Sequence, residues 1–202
     1  LGTDDHELDR AALEQTDYRA IMLPKAVDVS GLDAFAVIAL CETAQGVLAC
    51  EELGAQKNVV GLMWGAEDLV ASLGGSSSRH DDARYRDVAV HARARVLLAA
   101  GANGIVAIDA VHLDIADLDG LAAEARDAAA QGFSATACIH PSQVETVRGA
   151  YRPSETELAQ ARAIVAAAEG ASGVFVLDGR MIDEPLVRLA RRVLLRARTA
   201  SS

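Results

Sequence analysis

No apolar run in this sequence approaches the roughly 20 residues that a membrane-spanning helix requires, and the longest, such as Phe35 to Cys41, are far shorter. No signal-peptide pattern is visible, so a soluble protein without a membrane partner is expected. Positive charge is in deficit: the formal net charge of −10 excludes an extended surface for phosphate backbones, and no nucleic-acid partner is expected. Cysteine is scarce, and Cys41, Cys50 and Cys138 lack metal-ligand spacing. They sit among Ala, Leu and Ile, which suits buried thiols in a reducing, cytoplasmic compartment. No Pro/Gly-rich break divides the 202 residues, and with 51% hydrophobic residues the chain can bury a substantial core. The sequence also lacks a G-x-G-x-x-G fingerprint after a strand, a P-loop, a G-x-S-x-G elbow and the short His/Cys spacings of zinc sites.

What the sequence does contain is a repeat. Short apolar runs, Ile21 to Leu23, Val37 to Leu40, Val59 to Met63, Ile105 to Ile108 and Thr136 to Ile139, read as parallel strands covered on both faces. Helical patterns precede or separate them: Asp5 to Gln15, Gly46 to Leu53, Tyr85 to Ala100 with Val88, His91, Val96 and Leu97 along its length, and Leu118 to Ala130. Gly54, Gly101 and Gly132 fall where helix C-caps are expected. An open doubly wound sheet and a (β/α)8 barrel both accept this alternation. Beyond Pro153 the rhythm breaks into a helix, Glu155 to Glu169, a hairpin around Asp178-Gly179 and a final Arg-rich helix after Asp183, with Pro185 in its first turn. Residues 153–202 therefore read as an arm or lid on a main domain of residues 1–152. The arginines Arg188, Arg191, Arg192, Arg196 and Arg198 read as a solvated helical face.

In either architecture the functional groups lie just beyond the C-terminal ends of the strands. Glu42 and Asp68 follow two strands consecutive in sequence, which are usually spatial neighbours. Their carboxylates either meet over one pocket, supplying the oxygen ligands that Mg2+ prefers, or stand as two solvated acids. Glu67 points the other way if the strand pleat persists and supports the site from beside it. Lys25, after Pro24, either meets an anionic substrate or pairs with a carboxylate. Gly74 to Arg79 either cradles an anion with backbone N–H groups and the Arg79 guanidinium or forms a plain flexible loop. His140 either donates to a ligand or caps the helix that follows.

Six blocks, "MLPKA", "IALCETAQG", "GLMWGAEDL", "DAVHLDI", "CIHPSQV" and "GRMIDEP", occur in one order over nearly the whole chain. In them the sequence resembles the citrate lyase β subunit and its stand-alone relatives, the citramalyl-CoA, malyl-CoA and 3-hydroxy-3-methylglutaryl-CoA lyases of the HpcH/HpaI aldolase superfamily. The resemblance implies a (β/α)8 TIM barrel and cleavage or formation of a C–C bond in a 3-hydroxyacyl-CoA, with an acyl-CoA and an oxo acid as partners. It implies Glu42 and Asp68 as Mg2+ ligands and Asp183 as an acid/base group carried on the C-terminal arm. The arm is then expected to reach a neighbouring subunit of a homotrimer. Read from the residues alone, Lys25, Arg79 and His140 are the candidate cofactor-binding residues.

Only five strands precede the arm, and the chain opens at Leu1 on a helix, so the first three βα units of the barrel are expected to be missing from it. The strands present are then numbers four to eight. Three alternatives remain: a citryl-acyl-carrier-protein lyase subunit of a larger complex, a shortened barrel without catalysis, and an aldolase acting on an oxo acid without CoA.

Overall fold

The computed structural model describes residues 5–171 and 173–199. They divide into two compact units, one formed by the described part of residues 1–116 with residues 127–139, the other by 117–126 with the described part of 140–202. The second unit thus takes in more than residues 153–202.

In the first unit, helix α1 (Asp5–Glu14) precedes β1 (Ala20–Leu23) and β2 (Ala36–Cys41), and α2 (Ala44–Gly54) leads to β3 (Val59–Trp64). A short α3 (Ala66–Ser72) and a long α4 (Asp87–Asn103) come next, then β4 (Val106–Asp109), α5 (Leu118–Gln131), whose residues up to Arg126 are counted with the second unit, and β5 (Ala135–Thr136). All five strands are parallel, and each pairs with its neighbour in the chain, in the order β1-β2-β3-β4-β5. A doubly wound sheet reverses its strand order at a switch point. No reversal occurs among the described residues, so the winding proceeds in one direction only.

β2 buries one face more fully than the other. In β2, Val37, Ala39 and Cys41 are buried, while Ala36, Ile38 and Leu40 between them are half-buried. Full coverage of both faces, expected from sequence, holds along β3 from Gly61 to Trp64 but not throughout: Met22 in β1 and Val106 in β4 are exposed. The last strand is shorter than the run Thr136 to Ile139, and Cys138 beyond its end is exposed rather than buried. Cys41 and Cys50 are buried as expected, and burial pushes the Cys41 thiol up to about 12.

Two of the glycines read as caps lie within helices rather than beyond their ends. Gly54 ends α2 from within, where a Cβ would meet Asn103 Nδ2 at 3.0 Å, so it is a packing glycine. Gly101 lies inside α4, and the left-handed cap is Gly104, with φ +66. The buried face of α4 is Ala89, Ala92, Val96, Ala99 and Ala100, at helical spacing. Val88 and His91 face outward, because the helix begins at Asp87 and this phase buries its small residues.

The second unit contains a 3-10 turn (Pro141–Gln143), α6 (Val144–Tyr151), α7 (Glu155–Glu169), an antiparallel hairpin of β6 (Phe175–Leu177) and β7 (Arg180–Ile182), and α8 (Glu184–Thr199). Ala161 and Ile164 of α7 pack with Ile182, Val187 and Ala190 in one core cluster. The two-residue hairpin holds Asp178 at φ +50 and Gly179 at +75, the left-handed pair that a twisted hairpin requires. Ser154 and Glu157 form a reciprocal capping box that starts α7. No helix among the described residues is long and apolar enough to cross a membrane.

Candidate active site

Cys41 pairs in register with Trp64, so the next residues, Glu42 and Gly65, leave the sheet side by side. Beyond each of them the local sequence sets the course of the chain. Thr43 caps α2, its hydroxyl accepting from the N–H of Gly46 at 3.0 Å. Gly46 lets α2 lie against the turn after β1, since a Cβ there would meet the Ala26 carbonyl oxygen at 2.6 Å. Gly65 does the same for the acid: a Cβ on it would fall 2.9 Å from Glu42 Cβ and 3.0 Å from Oε2. Asp68 stands in the first turn of α3. At the other end of α3, the Ser72 hydroxyl accepts from the Ala44 N–H at 3.1 Å and ties α3 to the start of α2.

Lys25 joins the two acids. Its backbone N–H donates to Glu42 Oε1 at 3.1 Å, and its ammonium lies 3.3 Å from Asp68 Oδ1. The residue is left-handed, with φ +50, a conformation that costs a non-glycine residue about 1 kcal/mol or more and is found disproportionately at functional sites. Of the two readings open from sequence, pairing with a carboxylate is therefore the one observed. Glu42 is buried while Asp68 and Lys25 are exposed. Burial raises the Glu42 pKa, the Lys25 N–H opposes it, the charge of Asp68 raises it further and the Lys25 ammonium lowers it.

Behind the strand ends lies a second arrangement that sequence reading missed. Trp64 Nε1 donates to Asp109 Oδ1 at 2.6 Å, and Arg93 grips the same carboxylate through Nε, at 3.0 and 3.2 Å, and through Nη2, at 2.7 Å. Arg93 Nη1 reaches Asp127 at 2.7 Å. Burial works against the Arg93 charge, but the bonds to Asp109 and Asp127 outweigh it and hold the guanidinium firmly protonated. The available signal was "MWG" followed by a strand ending in Asp109, but no local pattern links them.

The other predicted residues all have partners of their own. Arg79 stacks over the Tyr85 ring at 3.8 Å and donates to the Ala83 carbonyl at 2.7 Å, while Tyr85 meets Trp64 edge-on. The Gly/Ser tract is thus an anchored loop, and Glu67 holds it by accepting from the Ser78 hydroxyl at 2.5 Å. In the second unit, His140 caps the 3-10 turn, its Nδ1 accepting from the Ser142 N–H at 3.2 Å. Asp183 accepts from the Leu186 N–H at 3.3 Å at the start of α8. Lys25, Glu42 and Asp68 form one constellation, whereas His140 and Asp183 belong to the other unit.

Two carboxylates offer hard, anionic oxygens, the donor type that Mg2+ takes in ones or twos beside water and substrate. No group of three or more His, Cys, Asp or Glu suited to a metal occurs among the described residues. The residence of an ammonium against Asp68 marks the position as one that draws a cation. The donor chemistry fits Mg2+, and Glu42 and Asp68 are the residues that would hold it.

Comparison with known proteins places these observations. The family model described as HpcH/HpaI aldolase/citrate lyase matches residues 9–141. A citrate lyase subunit beta-like protein of Mycobacterium tuberculosis (strain ATCC 25618 / H37Rv) is 52% identical over 204 residues, spanning 100% of this chain and 75% of its own. A (3S)-malyl-CoA thioesterase of Cereibacter sphaeroides (strain ATCC 17029 / ATH 2.4.9) is 33% identical over 96% of this chain and 71% of its own. Among solved structures, the protein CitE of M. tuberculosis in complex with magnesium, acetoacetate and coenzyme A superposes with a TM-score of 0.92 at 53% identity. That match covers 97% of this chain and 74% of the other.

Proposed function

The chain belongs to the HpcH/HpaI aldolase/citrate lyase family, and from that premise we propose that it is a Mg2+-dependent carbon–carbon lyase acting on a 3-hydroxyacyl-CoA, such as citramalyl-, malyl- or 3-hydroxy-3-methylglutaryl-CoA. The observation that carries the reading is the convergence of Glu42 and Asp68, through Lys25, at the ends of consecutive parallel strands. The same premise supports a (β/α)8 barrel, because the five strands wind in one direction and the chain matches most of a solved relative.

Magnesium, when bound, supplies Lewis acidity that lowers the pKa of a substrate hydroxyl. The protein's own contribution is orientation and proton transfer. Glu42, held by the Lys25 N–H and confined by Gly65, is a rigid ligand; Asp68, exposed on the first turn of α3, is the adaptable one. Asp183, by its place in "GRMIDEP", gives a proton to the thioester α-carbon in cleavage and removes it in condensation. Carried on a separate unit, it is assigned to the active site of a neighbouring subunit in a homotrimer. Closure that excludes water favours its proton-transfer role.

The test is an assay of the full-length protein with the three CoA esters in the presence of Mg2+. Release of acetyl-CoA together with an oxo acid is expected, whereas release of free CoA and the intact hydroxy acid would indicate thioester hydrolysis instead. Asp68→Asn is expected to abolish turnover, and normal turnover would sink the metal assignment. Mixing Asp183→Ala with Asp68→Asn protein should restore part of the activity if the arm acts in trans.

A further inference from the structure

We propose that Lys25 is a resident counter-cation of the two-carboxylate site, which occupies Asp68 in the absence of a divalent ion and is displaced when one enters. The inference rests on the reading of Glu42 and Asp68 as metal ligands and adds a competitor to it. One residue touches both acids, by two groups of different mobility: the backbone N–H holds Glu42 at 3.1 Å, and the ammonium holds Asp68 at 3.3 Å.

The two contacts differ in what they can release. Glu42 is 8% exposed, and its oxygen is fixed by a backbone donor in a left-handed turn, so that contact persists whatever the side chain does. The Lys25 and Asp68 side chains are 62% and 52% exposed, and an ion pair so open to water is held weakly. A lysine ammonium is a compact point charge on a flexible stem, suited to leaving one partner without disturbing the backbone. Without it, two acids with one carboxylate buried would face each other uncompensated. The ammonium thus lowers repulsion in the metal-free protein, and every divalent ion that binds must first move it off Asp68. The same displacement frees a cation beside the site for an anionic substrate group.

The experiment is Mn2+ binding by the full-length protein, followed by electron paramagnetic resonance of the free ion, without substrate. Lys25→Met removes the charge, Lys25→Gly removes the charge together with the left-handed strain, and Lys25→Arg keeps the charge. The two neutral variants are expected to bind Mn2+ about three- to tenfold more tightly than wild type, with Lys25→Arg within about twofold. Lys25→Gly keeps the test open if Lys25→Met fails to fold. Unchanged or weaker Mn2+ binding by the neutral variants, with wild type binding and Asp68→Asn not, would overturn the competitor role and leave the metal site standing. No Mn2+ binding by wild type would overturn both.

Discussion

Asp109 accepts the indole N–H of Trp64 across 2.6 Å at the ends of adjacent parallel strands, and the same carboxylate is gripped from the helix side by Arg93. The side chains of Arg93 and Asp109 are 14% and 7% exposed, so both charges are largely withdrawn from water. Trp64 is the residue before Gly65, and the network therefore sets where the chain leaves β3 toward Asp68.

Removing one member should leave the other stranded. Asp109→Ala is expected to cost about 3 kcal/mol, because it leaves a half-buried guanidinium with the exposed Asp127 as its remaining carboxylate. Asp109→Asn, which keeps an acceptor for the indole, should cost less. Urea denaturation of the two variants checks the order; equal midpoints would mean that the charge contributes nothing.

Gly65→Ala tests the packing of the buried acid. The glycine has an extended backbone, with φ −133, that any residue adopts, so the substitution acts only through its contact with Glu42. Displacement of that side chain should weaken Mn2+ binding by about tenfold or more, with a modest loss of stability. Unaltered affinity would show that Glu42 moves without consequence.

Glu42 also has a predicted pH signature. Burial first, then the charge of Asp68, raises its pKa against the pull of the Lys25 N–H. A raised folded value means that the native state keeps the proton longer than the unfolded chain does. Its stabilisation is present below the ordinary carboxylate range and lost as pH rises through the folded value. In metal-free buffer, Glu42→Gln should therefore gain melting temperature relative to wild type between about pH 4 and pH 7. A constant difference across that range would contradict the assignment.

The capping box of α7 has the opposite sign. Its hydrogen bonds with Ser154, first from the backbone and then from the side chain, lower the Glu157 pKa, so its contribution is present above the ordinary glutamate value and lost as pH falls through the folded one. Ser154→Ala is expected to cost about 1 kcal/mol at neutral pH. The cost should shrink in acid, and thermal melts at the two pH values decide it.

The βα winding and the strand ends carrying Glu42 and Asp68 were legible because each depends on spacing within one short block, whereas whether the two acids meet was left open. Helix ends were less so: Gly101 looks like a stop but lies in open space inside α4, and Gly54, which does end α2, also packs close to Asn103, uses that sequence does not separate. The Lys25 turn, the fit of Gly65 over Glu42 and the Trp64–Asp109–Arg93 network were not legible. Each joins residues that meet only once β1, β2, β3, β4 and α4 are assembled. Tyr85 likewise gave no hint from sequence that it would hold Arg79 in place.

Trp64 is the single tryptophan of the chain, fully buried, with a carboxylate on its indole nitrogen and a tyrosine ring 5.2 Å away. Its emission is thus an intrinsic optical probe of one spot, the end of β3 in the first unit. Circular dichroism sums the helices of both units. Monitored together through a denaturant titration, the two signals separate if the units unfold independently and coincide if they unfold as one, without any label added to the protein.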